Sequence, residues 1–220
     1  SPVFIVGAPR SGTTLLASIL SAHPSIAVAP ETGFFLHWWT IKDWYGNLAR
    51  KSNFNIFWHD YTRQGRFPNI GVDGDLIKKS ILENGETSYK QVLTCTLNQY
   101  AQMLNKNRWG EKTPGHERFI KEILSWYSNA KILFIIRDPR SVYSSVIKTP
   151  WGNKDCYENI SLWKKSVQIY GDWKEHKQVY GVKYEDLVTN PECELKKICS
   201  FLEEEYSNSM ITNRSEDSSP

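Results

Sequence analysis

Val3-Phe4-Ile5-Val6-Gly7-Ala8-Pro9-Arg10-Ser11-Gly12-Thr13-Thr14 decides how the rest of the chain is read. Val3 to Val6 are four consecutive apolar residues, three of them β-branched, the pattern of a short strand buried on both faces. Gly7 and Gly12 stand five positions apart in the loop that follows. Thr13-Thr14-Leu15-Leu16-Ala17-Ser18-Ile19-Leu20 then starts a helix with an apolar face at 15, 16, 19 and 20. Strand, tight glycine loop and helix N-terminus make an anion site, because unpaired backbone N–H groups and the positive end of the helix dipole converge there. The same spacing also fits an ordinary tight turn between a strand and a helix.

The loop departs from the nucleotide-hydrolase pattern G-x-x-x-x-G-K-[ST], whose lysine reaches the β/γ-phosphates and whose hydroxyl holds magnesium. Thr13 stands where that lysine belongs, and the cation has moved back into the loop as Arg10. Such a loop suits a phosphate at the end of a chain, without a triphosphate and its metal.

At 220 residues the chain suits one domain with a full core, and 40% hydrophobic with 23% charged residues is an ordinary globular balance. A formal charge of +3 is too small to argue for nucleic acid. No apolar run approaches the ~18 residues of a membrane span. The expected location is cytoplasmic, or lumenal and secretory if an upstream anchor has been removed. Cys95, Cys156, Cys193 and Cys199 show no CxxC pair and no accompanying histidine spacing, so they read as reduced core thiols. No metal is expected. Asn159-Ile160-Ser161 and Asn213-Arg214-Ser215 match the glycosylation sequon, a pattern common by chance.

Strand and helix patterns alternate along the rest of the chain. Ser25 to Pro30 reads as a second strand, with Glu31 at its C-terminal end, where ligands of open α/β sheets sit. Residues 34–67 are dense in Phe, Trp and Tyr, either a helical insertion packed on the core or the walls of an acceptor pocket. Asp73-Gly74-Asp75 caps a helix through Leu82, and Thr87 to Leu104 forms a longer one. Arg108-Trp109-Gly110-Glu111-Lys112-Thr113-Pro114 is extended, and 116–127 is helical. Lys131 to Ile136 is the strongest strand, followed by Arg137-Asp138-Pro139-Arg140, where Asp138 is the N-cap and Pro139 the first helical residue. A long helix near 156–174, a short strand at Val182-Lys183-Tyr184 and a helix after Asn190-Pro191 complete the pattern, and 207–220 reads as a loose polar tail. The expectation is one α/β domain over 1–206 with a mostly parallel sheet flanked by helices.

Arg137 and Arg140, followed by serines on the next helix, form a second basic loop at a strand end, able to bind a second phosphate. The bland alternative is a surface arginine paired with Asp138.

These residues resemble the sulfotransferases that use 3′-phosphoadenosine 5′-phosphosulfate (PAPS) and release adenosine 3′,5′-diphosphate (PAP). Gly7 to Thr14 resembles their 5′-phosphosulfate loop. Arg137 and Ser145, eight residues apart after a hydrophobic strand, resemble their 3′-phosphate motif. Tyr184-Glu185-Asp186-Leu187 with Asn190-Pro191 is similar to their late Tyr-Glu-Asp-Leu segment, whose tyrosine lies near the nucleotide. Ala22-His23-Pro24, Glu31-Thr32 and Glu111-Lys112-Thr113-Pro114 are closest to the tyrosylprotein-sulfotransferase-like and bacterial branch. The resemblance implies a P-loop nucleotide-kinase-like fold and a nucleotide held by Arg10, Ser11, Gly12, Thr13, Thr14, Arg137, Ser145 and Tyr184. It makes Glu31 the general base, with Lys112 and Arg10 stabilising the transferring group. Pro114 occupies the place of the cytosolic branch's catalytic histidine, and His116 is the reserve base. Family members continue past this region with a basic loop that closes over the nucleotide, and none is recognisable before Pro220.

The implied reaction is sulfuryl transfer to a hydroxyl acceptor: a peptide tyrosine, glycan, lipid or small molecule. A catalytically silent PAP- or glycan-binding module is the alternative of another class. A P-loop kinase fits worse, because Thr13 replaces its lysine and Arg137 follows the strand where an acidic magnesium ligand is needed.

Overall fold

The computed structural model describes residues 1–150 and 152–212. In chain order it runs β1 (Val3–Val6), α1 (Thr13–Ser21), β2 (Ile26–Val28), a π-helical turn (Phe35–Trp39), α2 (Lys42–Tyr45) and α3 (Lys51–Arg63). A 3₁₀ turn (Phe67–Ile70), α4 (Gly74–Glu83), α5 (Tyr89–Met103), β3 (Arg108–Lys112) and a second 3₁₀ turn (His116–Phe119) follow. The chain continues through α6 (Ile120–Trp126), β4 (Lys131–Ile136), α7 (Pro139–Val146), α8 (Cys156–Trp173), β5 (Val179–Lys183), α9 (Tyr184–Thr189), α10 (Pro191–Leu202) and α11 (Ser209–Thr212).

Among the described residues five strands form one sheet in the order β2-β3-β1-β4-β5, and every pair is parallel. Parallel strands need crossover helices, which cover both faces; β1, β2 and β3 are buried throughout, and the edge strand β5 only in part. Period-two alternation then divides the core. Phe4, Val6, Ile132 and Phe134 face one apolar cluster, and Val3, Ile5, Leu133 and Ile135 face the other. The chain leaves β1 toward β3 and β2 on one side and returns to β4 and β5 on the other. The end of β1 is therefore the switch point where open α/β sheets bind ligands.

Local signals explain the helix limits. Asp73 caps α4 by accepting hydrogen bonds from the N–H groups of Asp75 and Leu76, and Ser88 caps α5. Asp138 caps α7, with Pro139 in its first turn. Between β2 and β3 lies the aromatic stretch, and it is helical. Phe54, Phe57, Trp58 and Tyr61 are buried on one face of α3 at helical spacing, against Phe34, Trp38 and Phe67. Core packing therefore accounts for most of these rings, whereas Trp44 is 85% exposed.

The late chain differs from the sequence reading in detail. β5 starts at Val179, and Tyr184 opens α9 instead of ending the strand. Cys95 and Cys199 are core thiols, but Cys156 is half-buried and Cys193 exposed. Of the stretch read as a loose tail, 207–212 is docked: Met210 is fully buried, and Ser209 Oγ donates to the Ala22 carbonyl at 2.7 Å. Buried Met210, with Ile211 packed on the same cluster, supplies the anchor that an otherwise polar composition conceals. Residues 213–220, including the Asn213 sequon, lie outside the described residues.

Truncating that anchor tests the docking. Met210→Ala is expected to lower unfolding stability in urea by ~2–5 kcal/mol, the usual cost of emptying a core site. A change below about 0.5 kcal/mol, typical of surface positions, contradicts it.

Candidate active site

Every strand of the sheet ends, at its C-terminal edge, in a residue of the sequence-derived site. β1 leads to the Arg10 loop, β2 to Glu31, β3 to Lys112, β4 to Arg137 and β5 to Tyr184.

The first loop is shaped by two close approaches. A Cβ on Gly7 would lie 2.4 Å from the Ile135 carbonyl oxygen, and one on Gly12 would lie 2.4 Å from the Tyr184 ring. Gly12 also has a φ of 101°, and Arg10 itself adopts a left-handed φ of 67°. Among the described residues no side chain caps the first turn of α1, which carries no acidic residue, so its N–H groups and dipole face outward to the loop.

The two basic clusters share one cleft. Arg10 Nε donates to Ser145 Oγ at 2.9 Å, and Arg137 donates to the Arg10 carbonyl at 3.3 Å. The Arg137 guanidinium stacks 4.0 Å over the Tyr184 ring, and Trp163 Nε1 on α8 donates to the Arg137 carbonyl at 2.9 Å. A cleft of about 640 Å³ is lined by Arg10, Arg137, Arg140, Ser144, Ser145 and Lys148, among others. Arg137 Nε is buried and finds no hydrogen-bond partner among the described residues, which suits a cleft built for an anion. Arg140 lines this cleft but also follows the bland alternative: its side chain is 90% exposed and doubly bonded to Asp138.

The second half of the site is an ion-pair cluster. Lys112 Nζ donates to Glu31 Oε1 at 2.7 Å and to Thr14 Oγ1 at 3.4 Å, while Arg66 donates to Glu31 Oε2. The Glu31 side chain keeps 28% exposure, and that of Lys112 keeps 9%. Burial pushes the Lys112 ammonium from its ordinary 10.5 down to about 8; the Glu111 carboxylate opposes this drop and Arg66 adds to it. Because the folded value lies below the unfolded one, the folded protein loses this proton first. Stability therefore rises with pH between about 8 and 10.5.

Arg66 and Trp163 were not foreseen as site residues. Arg66 lies 35 positions beyond Glu31 in a loop, so no spacing in the chain announces their contact. The reserve base His116 is fully buried, bonded to Glu111 at 2.9 Å and faced by the Phe35 and Phe119 rings. Among the described residues, no group of three His, Cys, Asp or Glu side chains is arranged to hold a metal ion. No described helix is long and apolar enough to cross a membrane.

The sequence model of the sulfotransferase family matches residues 2–208. The chain belongs to the sulfotransferase family. It is 28% identical over 210 residues to protein-tyrosine sulfotransferase A of Caenorhabditis elegans, covering 91% of this chain and 49% of that protein. The chain thus spans about half the length of that relative. Among solved structures, the sulfotransferase domain of the Synechococcus PCC 7002 olefin synthase superposes with a TM-score of 0.69 at 20% identity, covering 100% of this chain and 81% of that one. A mouse sulfotransferase solved in complex with PAP superposes at 0.55 with 15% identity, covering 100% and 64%. At these identities the structures establish a shared sulfotransferase fold.

The buried lysine is directly measurable. In an NMR titration of the lysine side chains, a signal absent from Lys112→Met is expected to titrate well below 10.5, near 8. If the Lys112 signal titrates with the exposed lysines, the burial argument fails.

Proposed function

We propose that this chain moves the sulfuryl group of PAPS to a hydroxyl acceptor by in-line displacement. The observation that carries this is the single cleft shared by Arg10 and Arg137, with Glu31 and Lys112 on the adjacent strand ends. PAPS supplies one labile sulfuryl group on an adenosine 5′-phosphate, without a triphosphate. The residues fit it. Arg137 and Ser145 would hold the 3′-phosphate through charge-assisted bonds, and the Tyr184 ring supports the Arg137 guanidinium. Arg10, the hydroxyls of Thr13 and Thr14 and the N–H groups of 11–14 would bind the 5′ end.

Sulfuryl transfer, like phosphoryl transfer, asks the protein for alignment and for charge stabilisation on the equatorial and leaving oxygens. Lys112 supplies positive charge there, and Arg10 would join it by leaving the Ser145 hydroxyl to which its side chain is bonded. Glu31 accepts the acceptor hydroxyl's proton on a carboxylate oxygen as the new bond forms. Two cations orient that carboxylate, one bonded to each oxygen. Tyrosine in a protein is the acceptor we favour over glycan, lipid or small-molecule hydroxyls, because the C. elegans relative is named a protein-tyrosine sulfotransferase.

Glu31→Gln is expected to lose ~10²–10⁴ in turnover, the usual contribution of a general base, with PAP affinity unchanged. Turnover near the wild-type rate rejects Glu31 as the base. In the wild type, PAP is expected to bind without metal, and ATP with magnesium weakly or not at all. Magnesium-dependent ATP binding would instead indicate a kinase, and PAP binding without transfer to any hydroxyl acceptor a silent binding module.

A further inference from the structure

The residue beside Lys112 on β3 is a carboxylate that reaches neither cleft nor solvent. Glu111 is fully buried. Its Oε1 accepts from Thr32 Oγ1 at 2.8 Å and from Thr113 Oγ1 at 2.6 Å, and its Oε2 is bonded to His116 Nδ1 at 2.9 Å. Both hydroxyls also accept from the backbone that follows Glu31: the Phe34 N–H donates to Thr32 Oγ1 at 3.1 Å, and the Gly33 N–H to Thr113 Oγ1 at 3.1 Å. Gly33 has a φ of 59°, so this turn is tight as well as buried. One carboxylate thus bonds, directly or through a hydroxyl, to Thr32, Gly33 and Phe34.

Adjacent residues on a strand point to opposite faces, so the backbone that directs Lys112 into the site directs Glu111 away from it. Burying a carboxylate is costly unless its lone pairs are filled, and here three donors fill them. Burial alone would raise the Glu111 pKa; the His116 ring and the hydroxyl bonds outweigh it and leave the group below its ordinary value. Its negative charge also favours the charged form of Lys112. An apolar side chain would serve packing alone and would leave Thr32 and Thr113 without their acceptor.

We propose that Glu111 is a positioning residue: its hydroxyl network fixes the turn at 32–34 and thereby sets the Glu31 carboxylate against Lys112. This rests on Glu31 being the base. Glu111 touches neither nucleotide nor acceptor and acts only through Thr32, Thr113 and the backbone.

Glu111→Gln and the pair Thr32→Val and Thr32→Ser test it in the whole chain, with PAPS and a tyrosine peptide. Glu111→Gln and Thr32→Val are expected to lower kcat about 10–100-fold, as misplacement by about an ångström does, with KM for PAPS unchanged. Thr32→Ser, which keeps the hydroxyl, is expected to restore kcat. The Gly33 and Phe34 amides should exchange faster in the two damaging variants while β1 and β4 amides keep their protection. Unchanged kcat, equal behaviour of Val and Ser at 32, or loss of protection throughout the sheet each overturns the positioning role. Should Glu111→Gln fail to fold, the Thr32 pair decides alone. A wild type that transfers to no acceptor overturns the function beneath the proposal, whereas an active wild type with unaffected variants overturns only the proposal.

Discussion

Parallel pairing is the constraint on which the rest of this molecule depends. All five strands among the described residues point the same way, so the residues that follow them emerge on one edge of the sheet. Residues from 10 to 184 are gathered along that edge with no long loop to bring them together. Arg10, Glu31, Lys112, Arg137 and Tyr184 each stand within a few residues of a strand end. Their positions are set by ladder hydrogen bonds and by apolar side chains filling both faces. A site built on strand ends of a buried sheet inherits that rigidity.

Close packing then fixes details that charge alone would leave loose. The first loop can sit against β4 and Tyr184 only because Gly7 and Gly12 present no Cβ. Arg137 is held between the Arg10 carbonyl and the Tyr184 ring, and its own carbonyl is tied to Trp163. Lys112 is buried deeply enough to lower its pKa yet faces Glu31, so an ammonium and a carboxylate meet at a half-dry boundary. Interactions between such charges gain strength as water is excluded. The aromatic insertion contributes from behind: its rings fill the space beside the sheet and carry Arg66 to the outer oxygen of Glu31.

How much of this could be read from the chain follows from which forces act locally. The β1 and β4 strands, their helices, and the caps at Asp73 and Asp138 were legible because their signals lie within a few residues. The Phe54-Phe57-Trp58-Tyr61 stripe also carried a helical period, obscured by the aromatic residues around it. Contacts made across the fold were not legible. Arg66 meets Glu31 through a loop of no fixed spacing, and the role of Glu111 appears only once Thr32 and Thr113 are side by side. Met210, with Ile211 packed beside it, docks a segment that is otherwise polar, and two adjacent apolar residues carry no period.

The central claim is that the Arg137 loop and the Arg10 loop grip opposite phosphates of one nucleotide. Calorimetric titration of PAP and of adenosine 5′-phosphate into the wild type and Arg137→Ala separates the two ends, since the second ligand lacks only the 3′-phosphate. Losing a charge-assisted bond of ~1.5–3 kcal/mol predicts about 10–100-fold weaker PAP binding in the variant, with adenosine 5′-phosphate unaffected. If Arg137→Ala weakens both ligands alike, or neither, the account of a single nucleotide spanning both clusters is wrong.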